Sequence, residues 1–261
     1  MASVKLYHRI MKAIIIAAGR GGRMGALADN LPKTLIPIAG KPLLDHLLKN
    51  MRDQGISSIA LVRGYQAEKF TNPDLRYYLN AEYPENNILH SLMKAGREFD
   101  DDLVISYSDI WYSPAVLQSL LHTPGDIVIS VDTAWSERYE GRLLHPWSEA
   151  EKVFFDAAHT VEKIGKHLPG DGSPGEFIGL FKLSRAGARL FREQFEEVNR
   201  RLSPRDPFEQ AKEWRKAYIT DFLQYLSRTG HTVSCSLHEK GWLEMDTPED
   251  YEKAAALLRS S

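Results

Sequence analysis

Residues 12–18 read KAIIIAA, an unbroken apolar run that ends at Gly19 and opens into a long basic stretch rich in glycine. An apolar run without alternation marks a strand covered on both faces, because neither row of side chains meets water. Strands of that kind lie in sheets layered between helices, and such sheets take ligands at the carboxyl ends of their strands. The glycine-rich stretch therefore begins where a ligand site is expected.

The rest of the chain keeps this alternation. Leu43, Leu44, Leu47, Leu48 and Met51 recur at helical spacing before Gly55, which predicts a helix over 41–54. Strands are predicted at 58–62, 75–79, 103–107 and 126–131, and helices at 88–99 and 114–121. The second half is less regular. Strands at 153–155, 160–164 and 177–183 surround a turn-rich stretch, 169–175, and are followed by helices at 184–201 and 216–228 and a strand at 231–237. Thr247-Pro248-Glu249-Asp250 opens a last helix: Thr247 caps it, Pro248 suits its first turn, and the acids face its positive end. Strands alternating with helices predict a Rossmann-like three-layer α/β/α fold with a mostly parallel mixed sheet. Met11 directly precedes the first strand, so residues 1–10 read as an extension and 11–261 as one domain, with a small acceptor-binding or lid portion from about Thr133 onward.

Composition removes several classes. Hydrophobic residues at 43% and charged residues at 26% exclude general disorder, and a net charge of −2 asks for neither nucleic acid nor an anionic membrane. No run approaches the ~20 apolar residues of a membrane span. The single cysteine, Cys235, permits neither an internal disulfide nor a multi-cysteine zinc site, and predicts a reducing, cytoplasmic setting.

Three readings compete for the loop 17–33. A dinucleotide loop needs a third glycine where Met24 stands, a helix opening on the glycines, and an acid at the end of the second strand, where Arg63 sits. A phosphate loop of the Gly-Lys-Ser/Thr type needs a triplet this chain lacks. The third reading is a long anion-binding loop. Gly19, Gly21 and Gly22 let backbone N–H groups approach phosphate oxygens, Arg23 forks onto two of them, and Lys33 supplies a point charge.

The run Ala17-Ala18-Gly19-Arg20-Gly21-Gly22-Arg23-Met24-Gly25, closed by Leu31-Pro32-Lys33, resembles the signature of the nucleotide-diphospho-sugar transferase-like nucleotidyltransferases. Gly64-Tyr65 with Glu68 and Phe70, Asn80 with Tyr83, Asn87 and Ser91-Leu92, and Glu244-Met245-Asp246 look like its phosphocholine cytidylyltransferase branch. Asp132-Thr133-Ala134-Trp135, Arg138 to Arg142, Glu162-Lys163-Ile164-Gly165-Lys166 and Gly175 to Gly179 are similar to the cytidylyltransferases of phosphonate metabolism. The resemblance covers nearly the whole chain after Met11.

It implies a GT-A-like nucleotidyltransferase fold and transfer of CMP from CTP to a small phosphonate or phosphomonoester acceptor, with release of pyrophosphate. Arg23 and Lys33 are assigned to the triphosphate, with Lys33 at the α-phosphate, and Asp109 and Asp246 to Mg²⁺. Ala17, Ala18, Asn80, Asn87 and Ser91 are expected near base and ribose, although Asn87 also suits a helix cap. Lys163 and Lys166 are expected at the acceptor's phosphoryl group, Lys163 foremost. Trp135, Tyr139, Trp147 and Phe177 read either as a cage for a quaternary ammonium or as packing. Asp132 and Glu176 suit a primary amine. A sugar-1-phosphate nucleotidyltransferase is the near alternative, and a non-catalytic regulatory relative the distant one. A homodimer is common among such relatives, and the sequence itself is silent on oligomeric state.

Overall fold

The structure, a computed structural model, describes residues 11–140, 142, 144–169 and 172–259. The expected extension at 1–10 lies outside the described residues. Nine strands form one sheet: β1 (Lys12–Ala17), β2 (Ser58–Arg63), β3 (Arg76–Leu79), β4 (Leu103–Tyr107), β5 (Ile127–Asp132), β6 (Lys152–Phe155), β7 (Val161–Gly165), β8 (Gly175–Leu183) and β9 (Ser234–His238). Helices α1 (Leu43–Asp53), α2 (Ile88–Met93), α3 (Pro114–His122), α4 (Arg185–Arg201), α5 (Ile219–Arg228) and α6 (Pro248–Arg259) accompany it.

β1 lies between β2 and β4, parallel to both, with Ile14 aligned to Ala60 on one side and Ile105 on the other. This central place explains its composition. Ile14 and Ile16 join one core with Leu89 of α2, Phe191 of α4 and Phe222 of α5, whereas Ala13 and Ile15 join the other with Leu47 of α1 and Leu117 of α3. Each fully buried isoleucine contributes about 1.5–3 kcal/mol of transfer free energy. Both faces are thus covered, as the unbroken apolar run requires.

Seven of the nine strands run in one direction; β7 and β8 are reversed. The sheet is mixed and mostly parallel. β8 is its seam. Its last residues, 180–183, pair with β4, its first, Gly175 and Glu176, pair with β6, and its other edge pairs with β5 across an irregularity between Phe177 and Phe181. Gly179 sits in that irregularity with φ +78°, and a Cβ there would lie 2.4 Å from the Tyr107 ring.

Two differences from the sequence reading matter. The helix predicted over 88–99 ends at Met93, and a separate 3-10 turn, Gly96–Glu98, follows. A short ribbon, Ile110–Tyr112 antiparallel to Trp242–Glu244, was not predicted, because three residues carry no readable period. Among the described residues no helix is long and apolar enough to cross a membrane.

Gly179→Ala combines left-handed strain with a ring clash and should destabilise the chain by roughly 2–4 kcal/mol. Gly230→Ala, at φ +93° with open space around it, should cost only about 1–2 kcal/mol of backbone strain. Urea unfolding of the two variants checks the ranking.

Candidate active site

At the carboxyl end of β1 the chain leaves the sheet through Ala18 and Gly19. Gly21 adopts φ +66°, and a Cβ there would crowd the Lys33 side chain at 3.1 Å. The bare glycine therefore lets the lysine stem cross the loop. Residues Gly22–Ala28 wind as 3-10 turns broken at Gly25, with no α-helix opening on the glycines. Met24 and Ala28 pack with Ile36 beneath the loop, which pins it while Arg23 stays half exposed.

The loop borders a cleft of about 540 Å³. At its centre is the Lys33 ammonium, largely buried. It donates to Asp109 Oδ2 at 2.8 Å and also pairs with Asp246 Oδ1. Arg23 pairs with the other Asp246 oxygen through Nη2, and its Nη1 lies 3.1 Å from Glu149 Oε2. Burial works against charge on Lys33, but the two carboxylates outweigh it and hold the lysine pKa above its usual range. Burial likewise opposes charge on Asp246, and Lys33 and Arg23 overcome it, so the carboxyl titrates well below normal.

The unpredicted ribbon is what brings these acids together. Asp109 immediately precedes one strand and Asp246 follows the other, and the Met245 N–H donates to the Asp109 carbonyl at 2.7 Å. Asp250 then fixes the backbone beyond. Its Oδ2 accepts from the N–H groups of Asp246 (3.2 Å) and Thr247 (3.0 Å), while Arg142 holds its other oxygen at 2.8 Å. Thr247 caps α6 as expected, its hydroxyl accepting from the Asp250 N–H at 3.3 Å.

Asp109 and Asp246 present hard oxygen donors to one shared cation, the donor chemistry that suits Mg²⁺. A second group was missed in the sequence. His145, Glu244 and Asp246 offer ligand atoms all within 4.8 Å of one another. Burial, with Arg142 nearby, lowers the His145 pKa to about 4, so the ring is neutral. Burial, reinforced by Asp246 and Asp109, raises the Glu244 pKa well above the ordinary range.

The far wall carries Glu149, Glu151, Lys166, Glu176, Phe177 and Tyr218. Glu151 accepts from the hydroxyls of Tyr107 (3.2 Å) and Thr220 (3.3 Å), and burial lifts its pKa to about 7. Glu176 is 4% exposed. Its Oε1 accepts from the Tyr139 hydroxyl at 2.5 Å, its Oε2 is buried without a partner, and burial lifts its pKa to about 8. Glu149 reaches the cleft from the end of a 3-10 turn, Trp147–Glu149, and Glu151 from the residue just before β6.

The cleft gathers the predicted loop residues Ala17, Ala18, Gly19, Gly21, Gly22, Arg23 and Lys33. It also contains Asn87, Asp109, Lys166, Glu176 and Asp246. Other expectations fail on position. Asn80 and Ser91 are buried behind the wall, where Asn80 Nδ2 donates to Ser91 Oγ at 2.9 Å and Asn86 Oδ1 at 2.8 Å, and neither lines the cleft. Asn87 is engaged as the cap of α2, accepting from the Ile88 N–H at 2.9 Å and donating to the Lys216 carbonyl at 3.0 Å. Lys163 is exposed outside the cleft: a register shift between Val161 and Lys163 leaves Glu162 and Lys163 both facing solvent, and Lys166 turns inward instead. Asp132 is fully buried and satisfied by Arg138 (2.6 Å), Trp242 (2.8 Å) and the N–H groups of Ala134 (3.0 Å) and Lys240 (3.2 Å), so no lone pair is left for a substrate amine. Trp135 stacks on Trp147 at 4.9 Å and donates to the Ser173 carbonyl, and Tyr139 is spent on Glu176. Neither Trp135 nor Tyr139 lines the cleft, so the aromatic cage is not formed there; Phe177 does line it.

A cleft at the carboxyl ends of the strands, with a glycine-rich loop and paired bases facing paired acids, defines a nucleotidyltransferase. Residues 13–174 match the family described as the MobA-like NTP transferase domain, and the chain belongs to that family. It is similar to the CTP:phosphoglutamine cytidylyltransferase of Campylobacter jejuni, 28% identical over 253 residues that cover 93% of this chain and 98% of that protein. It is similar also to the CMP-5'-(3-aminopropyl)phosphonate synthase of Streptomyces rubellomurinus, 26% identical over 94% of this chain and 38% of that protein. Among solved structures the inositol-1-phosphate CTP transferase from T. maritima shares the fold, with a TM-score of 0.72, 19% identity and 96% of each chain covered.

The depressed Asp246 pKa gives stability that is present above the ordinary carboxylate range and lost as pH falls through it and below. Asp246→Asn should therefore cost about 3 kcal/mol at pH 7, because it strips a buried pair. The gap to the parent should shrink below about pH 4, which urea unfolding at pH 7 and pH 3 measures.

Proposed function

We propose that this chain transfers CMP from CTP to a small phosphate- or phosphonate-bearing acceptor and releases pyrophosphate. The observation that carries the reading is Lys33 clamped between Asp109 and Asp246, with Arg23 alongside, at the mouth of the β1 loop. Two bases and two acids held in register fit a reaction in which two anions must approach each other. The names of the relatives from Campylobacter jejuni and Streptomyces rubellomurinus speak for cytidine and for phosphoryl-type acceptors.

In this reading an acceptor oxygen attacks the α-phosphorus in line. One P–O bond forms as the α–β bridging P–O bond breaks, and the electron pair leaves with pyrophosphate. No covalent intermediate on the chain is required, so catalysis is alignment plus charge neutralisation. Arg23 holds the departing phosphates and Lys33 meets charge growing at the α-phosphoryl group. Asp109 and Asp246 are the residues that would hold Mg²⁺, which when bound screens the repulsion between the two anions.

Glu176 bears on the acceptor. An acid this buried, with one oxygen unpartnered beside the cleft, favours a ligand that brings a hydrogen-bonding cation. A primary ammonium supplies both positive charge and donors, a trimethylated one supplies no donor, and the sugar of a sugar phosphate supplies no positive charge. An amine-bearing phosphonate or phosphomonoester is therefore the favoured acceptor class.

Pyrophosphate release should be fastest with CTP among the four ribonucleoside triphosphates, assayed with magnesium chloride. The acceptors to compare are 2-aminoethylphosphonate, hydroxyethylphosphonate, phosphocholine and glucose 1-phosphate. Turnover with glucose 1-phosphate alone would overturn the reading.

Glu176 takes an ammonium only when ionised, and its pKa is raised to about 8. The KM for 2-aminoethylphosphonate should thus fall as pH rises from about 6.5 toward 8.5. That for hydroxyethylphosphonate should lack this component, and Glu176→Gln should bring the two profiles together.

A further inference from the structure

One carboxylate oxygen in the cleft is shared by two cations from opposite walls. Glu149 Oε2 lies 3.1 Å from Arg23 Nη1, on the loop after β1, and 2.7 Å from Lys166 Nζ, just past β7. A carboxylate that meets arginine often uses both oxygens in a fork. Here a single oxygen bridges two bases, as a phosphate oxygen would. Among the described ion pairs Lys166 has Glu149 alone; the Tyr218 ring lies 5.2 Å away, and the buried Glu151 adds to the field that favours its charge. The bridge is also held from a shallow element. Glu149 ends a single 3-10 turn, Trp147–Glu149, whose Trp147 is 40% exposed, whereas Glu151 two residues later is fixed by Tyr107 and Thr220. Trp147 stacks on Trp135 and Ala150 is buried, so the Glu149 side chain, rather than the turn that carries it, is the part free to leave.

We propose that Glu149 is a latch: its one carboxylate oxygen covers Lys166, the anion-binding group on the acceptor side, and is held there by Arg23 on the polyphosphate side until a pyrophosphate-type ligand engages Arg23. Both ion pairs are partly exposed, and such pairs are weak, so a dianion displaces one carboxylate oxygen readily. When Arg23 turns to a polyphosphate, Glu149 keeps Lys166 alone and its hold is reduced. Filling the loop then favours filling the acceptor subsite, and by linkage the reverse. Either ligand loosens the latch for the other, and Glu149 competes with any anion that approaches Lys166. This rests on the preceding reading only in placing Arg23 on the polyphosphate side and Lys166 on the acceptor side; cytidine plays no part in it.

The test uses methylphosphonate as the acceptor-side probe, its binding followed by phosphorus NMR with and without saturating pyrophosphate. In the parent chain pyrophosphate should tighten methylphosphonate binding several-fold. Glu149→Gln should bind methylphosphonate roughly three- to tenfold more tightly without pyrophosphate, as two weak pairs are lost, and should gain little when it is added. Glu149→Asp keeps the charge on an arm too short to span both bases and should shift the same way, which guards against a misfolded Gln variant. Lys166→Gln should weaken binding in both conditions. Parent-like affinity in both Glu149 variants, or unchanged coupling to pyrophosphate, would overturn the latch. Failure of the CTP reading would appear in the triphosphate panel and leave these titrations intact.

Discussion

The site depends on one ammonium group. Lys33 sits between Asp109 and Asp246 with little water around it, and each carboxylate is tolerable there because the lysine is. Remove the cation and two acids face each other in a recess; remove the acids and a charged lysine is stranded. Arg23 extends the arrangement to Glu149, and Glu149 extends it to Lys166. The cleft therefore holds alternating charges across its floor, each matched by a neighbour rather than by solvent. Such a chain of pairs is stable without substrate yet each link is replaceable, because a phosphate can stand in for a carboxylate and a metal ion for an ammonium.

The supporting structure places these links on separate, rigid pieces. Lys33 arrives on a loop pinned by Met24, Ala28 and Ile36. Asp109 and Asp246 flank the two strands of the small ribbon. The groups of the far wall come from the segment before β6, from β8 and from the turn after β7. β8 joins the two halves of the sheet, and its change of partner at Gly179 brings the backbone against Tyr107, whose hydroxyl in turn holds Glu151. Packing and chemistry meet at that point, so a change of one methyl group there is felt in the cleft wall.

The sequence made the first part of this legible and hid the second for physical reasons. KAIIIAA is readable because burial on both faces leaves only apolar residues possible. Arg23 and Lys33 are readable because they are local to the loop. Asp109 and Asp246 were named through family resemblance, but nothing local shows the ribbon that joins them, since strands of three residues have no period. Lys163 was preferred to Lys166 on family resemblance, and nothing local shows the register shift that turns it to solvent. Asp132 and Glu176 read as equivalent acids; only the partner lists separate a carboxylate that is saturated from one with a free oxygen. Sequence names candidate groups, while neighbours distant along the chain decide which of them remain available.

The ribbon carries a consequence for biosynthesis. Its two strands are separated by about half of the chain, and of the groups that steady Asp246, Arg142 lies within that gap and Asp250 beyond it. During translation the first strand and the basic loop emerge long before their acidic counterpart. The basic loop is made early, whereas Asp246 is made just ahead of the last helix. A nascent chain thus carries Lys33 long before the second of its acidic partners, and the buried pair forms only when distant parts of the polypeptide have found each other.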